Sequence, residues 1–139
     1  IPAIIDAGRT SLGLESTIVA VAEDGTLRLL RPGPIDLGLA LSDAGAIEAP
    51  GQLASHYAPA KPLRLNVTKA GPDEWLIGFG TVPGNECLSQ SGDLSEAAAN
   101  LFSALHVADA SDAPRIAVAP IPANGLGEAI NDRLSRAAA

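Results

Sequence analysis

The segment from Pro50 to Pro62 constrains the fold more than any other part of the chain. It holds three prolines and one glycine in thirteen residues. Proline fixes φ and has no amide hydrogen to donate, so the segment disfavours helix and sheet and stays extended and semi-rigid. His56 and Tyr57 lie inside it, although a plain spacer has no need of them. We therefore expect a linker between two structural units that also reaches across a pocket.

The composition describes a globular chain with an aliphatic core: 139 residues, 47% hydrophobic and 3% aromatic. A net charge of −7, with only nine scattered Lys and Arg residues, argues against tight direct binding to nucleic acid. No run is long enough to span a membrane. The chain begins Ile1-Pro2 with no Met and no signal-peptide pattern, so we expect a fragment of a longer protein.

Cysteine and histidine are scarce. Cys87 is the single cysteine, which excludes an intrachain disulfide and a cysteine-based metal site and fits a reducing cytoplasm. A small buried hydrophobe is a commoner role for such a residue than a reactive thiol. His56 and His106 are the two histidines, too few to indicate zinc. We predict no metal ligands in this chain.

The part before the linker reads as β-rich. The predicted strands are residues 3–6, 16–22 and 26–30. Asp24-Gly25 between the last two is a strong hairpin signal. The Arg-Pro-Gly-Pro run at 31–34 should end the second strand, because proline cannot donate to a sheet ladder. Residues 35–41 are predicted to be weakly helical, and 42–49 a loop.

After the linker, strands alternate with helices, which predicts a small α/β layer structure. The predicted strands are residues 63–67, 75–79 and 115–119. A helix over about 94–108 has Asp93 as its N-cap and Glu96 three positions later, a capping-box spacing. A second helix over about 125–137 places Arg133 and Arg136 near its C-terminus, where the helix dipole favours cations.

Four ordered motifs together resemble a specific family. They are Gly13-Leu14-Glu15-Ser16-Thr17-Ile18-Val19, Arg31-Pro32-Gly33, Ser55-His56-Tyr57-Ala58-Pro59 and the closing run from Gly125 to Leu134. The chain resembles the long, two-domain form of threonylcarbamoyl-AMP synthase over essentially its whole length. Two positions depart from the family pattern: Ala20 stands where the family has Asp, and Ser55 where it has Arg.

The resemblance implies an α/β fold in which the C-terminal strands of a YrdC-like domain are joined by a Pro-rich linker to a small Rossmann-like domain. The corresponding ranges are 1–41, 42–62 and 63–139. It also implies a nucleotidyltransferase that makes threonylcarbamoyl-AMP and pyrophosphate from L-threonine, bicarbonate or CO2, and ATP. A divalent cation such as Mg would accompany the ATP, and a tRNA-modifying transferase would use the product to make threonylcarbamoyladenosine. The family's nucleotide-binding motif would precede Ile1, so these residues alone should be inactive.

The resemblance carries site roles onto few residues, none of them catalytic. Ser16 and, second, Thr17 would bind threonine; as neighbours on a predicted strand, their hydroxyls should point to opposite faces. Arg31 would bind an ATP phosphate through its forked guanidinium, and Tyr57 would contact the nucleotide, while His56 supports the linker. The competing interpretations are ordinary β-propensity for the hydroxyls, a solvated charge for Arg31, and a tyrosine that only pins the linker.

Two other function classes remain open at this point. A carbamoyltransferase of the hydrogenase-maturation type shares the YrdC-like domain, although the His-Tyr-Ala-Pro linker argues against it. A non-catalytic ligand-binding module would instead use the α/β domain as a sensor. In the synthase interpretation that domain has no polar cluster of its own, and we expect it to anchor the linker and tune its closure.

Overall fold

A computed structural model describes residues 2–5, 8, 10–42, 47–51, 53 and 57–139. Six strands and two helices lie in these ranges. In chain order they are β1 (Ile18–Val21), β2 (Leu27–Arg31), β3 (Leu63–Arg64), β4 (Glu74–Gly78), β5 (Glu86–Cys87), α1 (Leu94–Ala110), β6 (Arg115–Val118) and α2 (Leu126–Ala137). None of the helices described is both long and apolar enough to cross a membrane.

The first two strands form the predicted antiparallel hairpin. Gly25 closes the turn with φ 84°, and its amide donates to the Ala22 carbonyl at 2.9 Å. Glycine adopts this left-handed conformation without the steric cost that other residues incur. The Asp24-Gly25 signal therefore located the turn correctly, although β1 begins at Ile18, two residues later than predicted.

Two predicted elements before the linker are wrong. Residues 2–5 have no regular structure, and Ile4 and Ile5 are 82% and 95% exposed, because no described strand pairs with them; Asp6 lies outside the described residues. The segment 35–41 is not helical. Gly38 has φ 64° and its amide donates to the Asp36 carboxylate, a local turn that competes with helix. Leu41, at the end of this segment, instead forms a parallel bridge with Leu29 of β2.

The second unit is a four-stranded parallel sheet in the order β3-β6-β4-β5. Strand side chains alternate between the two faces. Ile77, Ile116 and Val118 face one side and pack against both helices in a single core. Leu76 and Ala117 face the other side, under Val67, in a smaller cluster. The predicted α/β class is confirmed; β5, only two residues long, was not predicted.

Side chains from outside α1 hold both of its ends. Asp93 accepts a hydrogen bond from the Glu96 amide at 2.7 Å, as predicted. The Glu96 carboxylate does not accept from the Asp93 amide, as a capping box requires. The Asp93 amide donates to the Ser89 hydroxyl, and this hydroxyl donates to the Glu96 carboxylate. At the other end Lys61 Nζ donates to the carbonyls of Ala108 and Ser111. Lysine at a helix C-terminus satisfies its unpaired carbonyls, and here it fastens the end of the linker to α1.

Candidate functional site

The loop from Gly13 to Thr17, hereafter the motif loop, lies directly against the helices of the second unit. Gly13 has φ 65°, and a Cβ at this position would sit 2.2 Å from the Ala98 carbonyl oxygen of α1. Only glycine fits so close to another backbone with this φ. Leu14, the next residue, packs against the core of the second unit. The first motif of the sequence is thus part of the interface between the two units.

Arg31 ties this loop to the end of β2 and to the linker. The residue is 8% exposed. Its Nε and Nη2 donate to the Ser16 carbonyl at 3.1 and 2.9 Å, and Nη1 donates to the Pro50 carbonyl at 3.3 Å. Nη2 also reaches the Ser16 hydroxyl at 3.3 Å. The sequence-based competing interpretation, a solvated arginine at a strand end, is wrong, because this guanidinium is buried and hydrogen-bonded.

The hydroxyls of Ser16 and Thr17 have separate partners. Both residues precede β1, so the prediction that they are neighbours on a strand is wrong. The Thr17 hydroxyl donates to the Ile35 carbonyl at 2.9 Å and accepts from the Ile35 amide at 3.2 Å. The Ser16 hydroxyl instead faces Arg31. Of the two, Ser16 lies with the other predicted site residues.

Tyr57 lies at the junction of the motif loop, the linker and both helices. Its ring centroid is 5.3 Å from that of Phe102 on α1, and the Arg133 guanidinium carbon of α2 lies 5.9 Å from the ring centroid. Burial and its hydrogen bond to the Glu15 carboxylate raise the pKa of the Tyr57 hydroxyl above its ordinary value. The linker residue predicted to contact nucleotide is therefore held by groups from three parts of the chain.

Gly51 brings Tyr57 and Arg31 to one place. A Cβ on Gly51 would sit 3.1 Å from the Tyr57 hydroxyl and 3.2 Å from Cδ of Arg31. Its φ of 85° is a further reason for glycine there. Ser16, Arg31 and Tyr57, which are far apart in the sequence, thus form one cluster. Thr17 adjoins this cluster, but its hydroxyl is bonded to the backbone of Ile35.

Glu15 and Arg133 complete the cluster, and neither of them was predicted from the sequence to have a site role. Arg133 Nε donates to the Glu15 carboxylate at 3.0 Å, and the Arg133 side chain is fully buried. Burial raises the pKa of Glu15, but hydrogen bonds from Tyr57, from its own amide and from Arg133 outweigh it and hold the pKa below its ordinary value. Glu15 belongs to the first motif, which was the one available signal; Arg133 was interpreted only as a charge that complements the helix dipole.

Part of the linker can be followed to α2. Arg136 Nη1 donates to the Leu53 carbonyl at 3.1 Å, and Arg136 also pairs with Asp132 one turn earlier. His56 and Ser55 lie outside the described residues, so the support role predicted for His56 stays a prediction. Leu53, Tyr57 and Lys61 of the linker contact the helices of the second unit.

A cavity of about 260 Å³ opens beside Tyr57. Its lining is Tyr57, Ala58, Pro59, Phe102, Leu105, His106 and Asp109. A larger, more open depression of about 580 Å³ lies on the second unit near Glu86 and Glu96. Across the described ranges, no group of three or more His, Cys, Asp or Glu side chains is arranged to hold a metal ion.

A model of the threonylcarbamoyl-AMP synthase C-terminal domain family matches residues 15–139. The chain belongs to this family. The match begins at Glu15 and so includes most of the motif loop, the linker and the whole second unit. The resemblance seen in the four sequence motifs is confirmed.

Relatives in sequence agree with this assignment. The chain is 29% identical over 168 residues to threonylcarbamoyl-AMP synthase of Pyrococcus abyssi and 29% identical over 170 residues to that of Bacillus subtilis. In both cases the match covers 99% of this chain and 49% of the relative. The chain therefore spans about half the length of the curated relatives it matches.

Solved structures agree on the fold. The crystal structure of P. abyssi Sua5 complexed with L-threonine matches with a TM-score of 0.77 and 24% identity, over 96% of this chain and 48% of that one. A variant of the same protein with a His and a Tyr each replaced by Ala matches with a TM-score of 0.75 and 23% identity, over 96% and 47%. At 24% and 23% identity, the structural similarity shows the fold alone.

Proposed function

We propose that this chain works as part of a threonylcarbamoyl-AMP synthase. The enzyme converts L-threonine, bicarbonate or CO2, and ATP into threonylcarbamoyl-AMP and pyrophosphate, and a tRNA-modifying transferase in the cytoplasm consumes the product. The family match over residues 15–139 is the observation that carries the proposal. These residues contribute one wall of the substrate site and are inactive alone.

Exposed apolar side chains support a partner segment over the first unit. Val21, Leu27, Ile35 and Leu37 are each between 48% and 68% exposed. The relatives have about twice the length of this chain. We propose that the additional part of their length, which would carry the nucleotide-binding motif, covers these side chains.

The threonine role is assigned to Ser16, with Thr17 in support. The Ser16 hydroxyl accepts from Arg31 Nη2 at 3.3 Å, which leaves its own proton to donate to the carboxylate of threonine. The P. abyssi relative has been crystallised with L-threonine, which is consistent with a threonine site in this family. Thr17 shapes the loop through its two hydrogen bonds to Ile35.

The ATP role is assigned to Arg31 and Tyr57. A guanidinium has five N–H groups, and contacts with Ser16 and Pro50 occupy four of those of Arg31. We therefore propose a single phosphate contact from Nη1 rather than the bidentate contact expected from the sequence. Tyr57 would contact the nucleotide with its ring, because its hydroxyl donates to Glu15, and His56 supports the linker. The divalent cation would come with the ATP phosphates, since no group of three or more His, Cys, Asp or Glu side chains among the described residues is arranged to hold it.

The test is threonine- and ATP-dependent pyrophosphate release by the full-length protein carrying Arg31→Ala, Tyr57→Phe or Tyr57→Ala. A charge-assisted hydrogen bond contributes roughly 1.5–3 kcal/mol, so Arg31→Ala should raise the KM for ATP by about one to two orders of magnitude. Tyr57→Phe, which removes only the hydroxyl, should have a smaller effect than Tyr57→Ala.

Arg64→Met is the matched control, because Arg64 pairs with Glu74 on the opposite face of the sheet. Unchanged kinetics in all three site variants would remove the site assignment. Absence of threonine-dependent pyrophosphate release from the wild-type protein would reject the function itself.

A further inference from the structure

We infer that Arg133 of α2 is a positioning residue that holds the motif loop and Tyr57 in register across the boundary between the two units, and so sets the affinity for threonine. The inference rests on the proposed function and assigns a residue to it that no motif indicated. Its evidence is a closed set of contacts among Arg133, Glu15 and Tyr57.

The two arginines near the end of α2 need a second carboxylate from outside the helix. Asp132 accepts from Arg133 Nη1 at 2.8 Å and from Arg136 at 3.0 Å. These three side chains leave one excess positive charge, and the Arg133 side chain is fully buried. A buried charge is costly unless it is paired. Among the described contacts of Arg133, Glu15 supplies the second carboxylate.

Tyr57 joins the same contact from the linker. Its hydroxyl donates to Glu15, while its ring lies under the Arg133 guanidinium. A cation over an aromatic face and a charge-assisted hydrogen bond are both directional. Residues 15, 57 and 133 therefore constrain one another, although each belongs to a different segment.

The motif loop is consequently held from two sides. Arg31 binds the Ser16 carbonyl from the hairpin, and Arg133 binds the neighbouring Glu15 side chain from the second unit. Removing the Arg133 contact leaves the loop held on the second unit only through Gly13 and Leu14, which precede Ser16 in the chain. The Ser16 hydroxyl then samples more positions, and the cost of ordering it appears when threonine binds.

The hydrogen bonding of Arg133 itself favours a functional role over a purely stabilising one. Within the described part of the chain, Arg133 Nη2 is buried with no hydrogen-bond partner. Replacing a whole buried ion pair with apolar side chains is often neutral for stability, whereas removing one partner is costly where it leaves a buried charge unpaired. Asp132 keeps its bond to Arg136 when Arg133 is replaced. The Glu15 side chain is 34% exposed, so water can solvate it once the arginine is gone. An apolar residue at position 133 should therefore leave the fold intact.

The experiment compares Arg133→Met, Arg133→Lys and Glu15→Gln with Arg64→Met in the full-length protein. Arg133→Met and Glu15→Gln should each raise the KM for threonine roughly tenfold with kcat nearly unchanged. Arg133→Lys keeps the charge and should fall between wild type and Arg133→Met. In the double variant Glu15→Gln/Arg133→Met, the KM for threonine should exceed that of the more affected single variant by no more than about twofold, because both changes break the same contact. Arg64→Met should match wild type.

Hydrogen exchange supplies a readout that does not depend on turnover. The amides of residues 10–17 and of Tyr57, Ala58 and Ala60 should exchange faster in Arg133→Met than in wild type or Arg64→Met. Unchanged exchange in these segments would overturn the inference. So would an unchanged KM with kcat lowered in proportion to the folded fraction, which is what a purely structural role produces. Wild-type protein without threonine-dependent turnover would reject the proposed function, while exchange would still decide whether Arg133 holds the loop.

Discussion

Arginines of the same formal charge have different roles in this molecule, because burial and partner differ at each. Arg31 is buried and donates mainly to backbone carbonyls. Arg133 is fully buried and pairs with carboxylates from two segments. The Arg64 side chain is 57% exposed and grips Glu74 with two hydrogen bonds. Arg64 and Glu74 bond to each other away from Ser16, Arg31 and Tyr57, so removing Arg31 or Arg133 should matter most for the site.

Glu74 makes the acid dependence of stability testable at a single residue. The hydrogen bonds from Arg64 and from the Gly71 amide lower its pKa from 4.5 to about 2. Because the folded pKa lies below the unfolded one, the stabilisation is fully present above about pH 4.5 and is lost as pH falls towards 2. Urea unfolding between pH 2 and 6 should show a shallower pH dependence for Glu74→Gln than for wild type.

Arg64→Met provides the complementary measurement. The pKa of Glu74, followed by NMR titration, should rise towards 4.5 but remain below it, since the Gly71 amide still donates at 2.6 Å. A titration midpoint that stayed at the wild-type value would show that Arg64 is not the main cause.

At the scale of elements, α1 was the best predicted, because its signals are local. An N-cap depends on a few consecutive residues, and Asp93 caps the helix as expected. The Glu96 carboxylate accepts a short hydrogen bond from the buried hydroxyl of Ser89, a residue outside the capping-box pattern. The strand predicted at 3–6 does not form in its described residues 3–5, and β5 forms although it was not predicted. Both errors have one cause, because a strand forms only where a neighbouring strand supplies its hydrogen-bond partners.

The Asp93 cap has a measurable contribution. Asp93→Ala should lower the free energy of unfolding by about 1 kcal/mol, because the Glu96 amide loses its acceptor. Asp93→Ser keeps an acceptor and should recover most of the loss in urea unfolding. Equal destabilisation by both changes would mean that the cap hydrogen bond is not the cause.

At the scale of the whole molecule, the two units predicted from the Pro-rich linker are not independent. The motif loop docks on both helices of the second unit through Gly13, Leu14 and Glu15. Lys61 fastens the end of the linker to α1, and Arg136 fastens Leu53 to α2. The expectation that the second unit anchors the linker agrees with these contacts. Its effect on closure remains a prediction.

Gly13→Ala tests how tightly the units dock, with Gly25→Ala as the matched control. Both glycines have positive φ, but a Cβ at Gly13 would meet α1, whereas one at Gly25 meets nothing within 4 Å. Gly25→Ala should cost about 1–2 kcal/mol through backbone strain alone. Gly13→Ala should cost more and should also speed amide exchange in residues 10–17, measured by unfolding and hydrogen exchange. Equal losses without faster exchange would contradict the close approach.

Motifs and local or periodic patterns were enough to predict the family, the Asp24-Gly25 turn, the two helices and the α/β class of the second unit. The resemblance also predicted roles for Ser16, Arg31 and Tyr57, which the structure brings into one cluster. The contacts of Arg31 with backbone carbonyls, and of Glu15 and Arg133 with Tyr57, became visible in the tertiary structure alone. Contacts between residues 15, 57 and 133 arise from docking of separate segments, and no local rule of spacing encodes that docking.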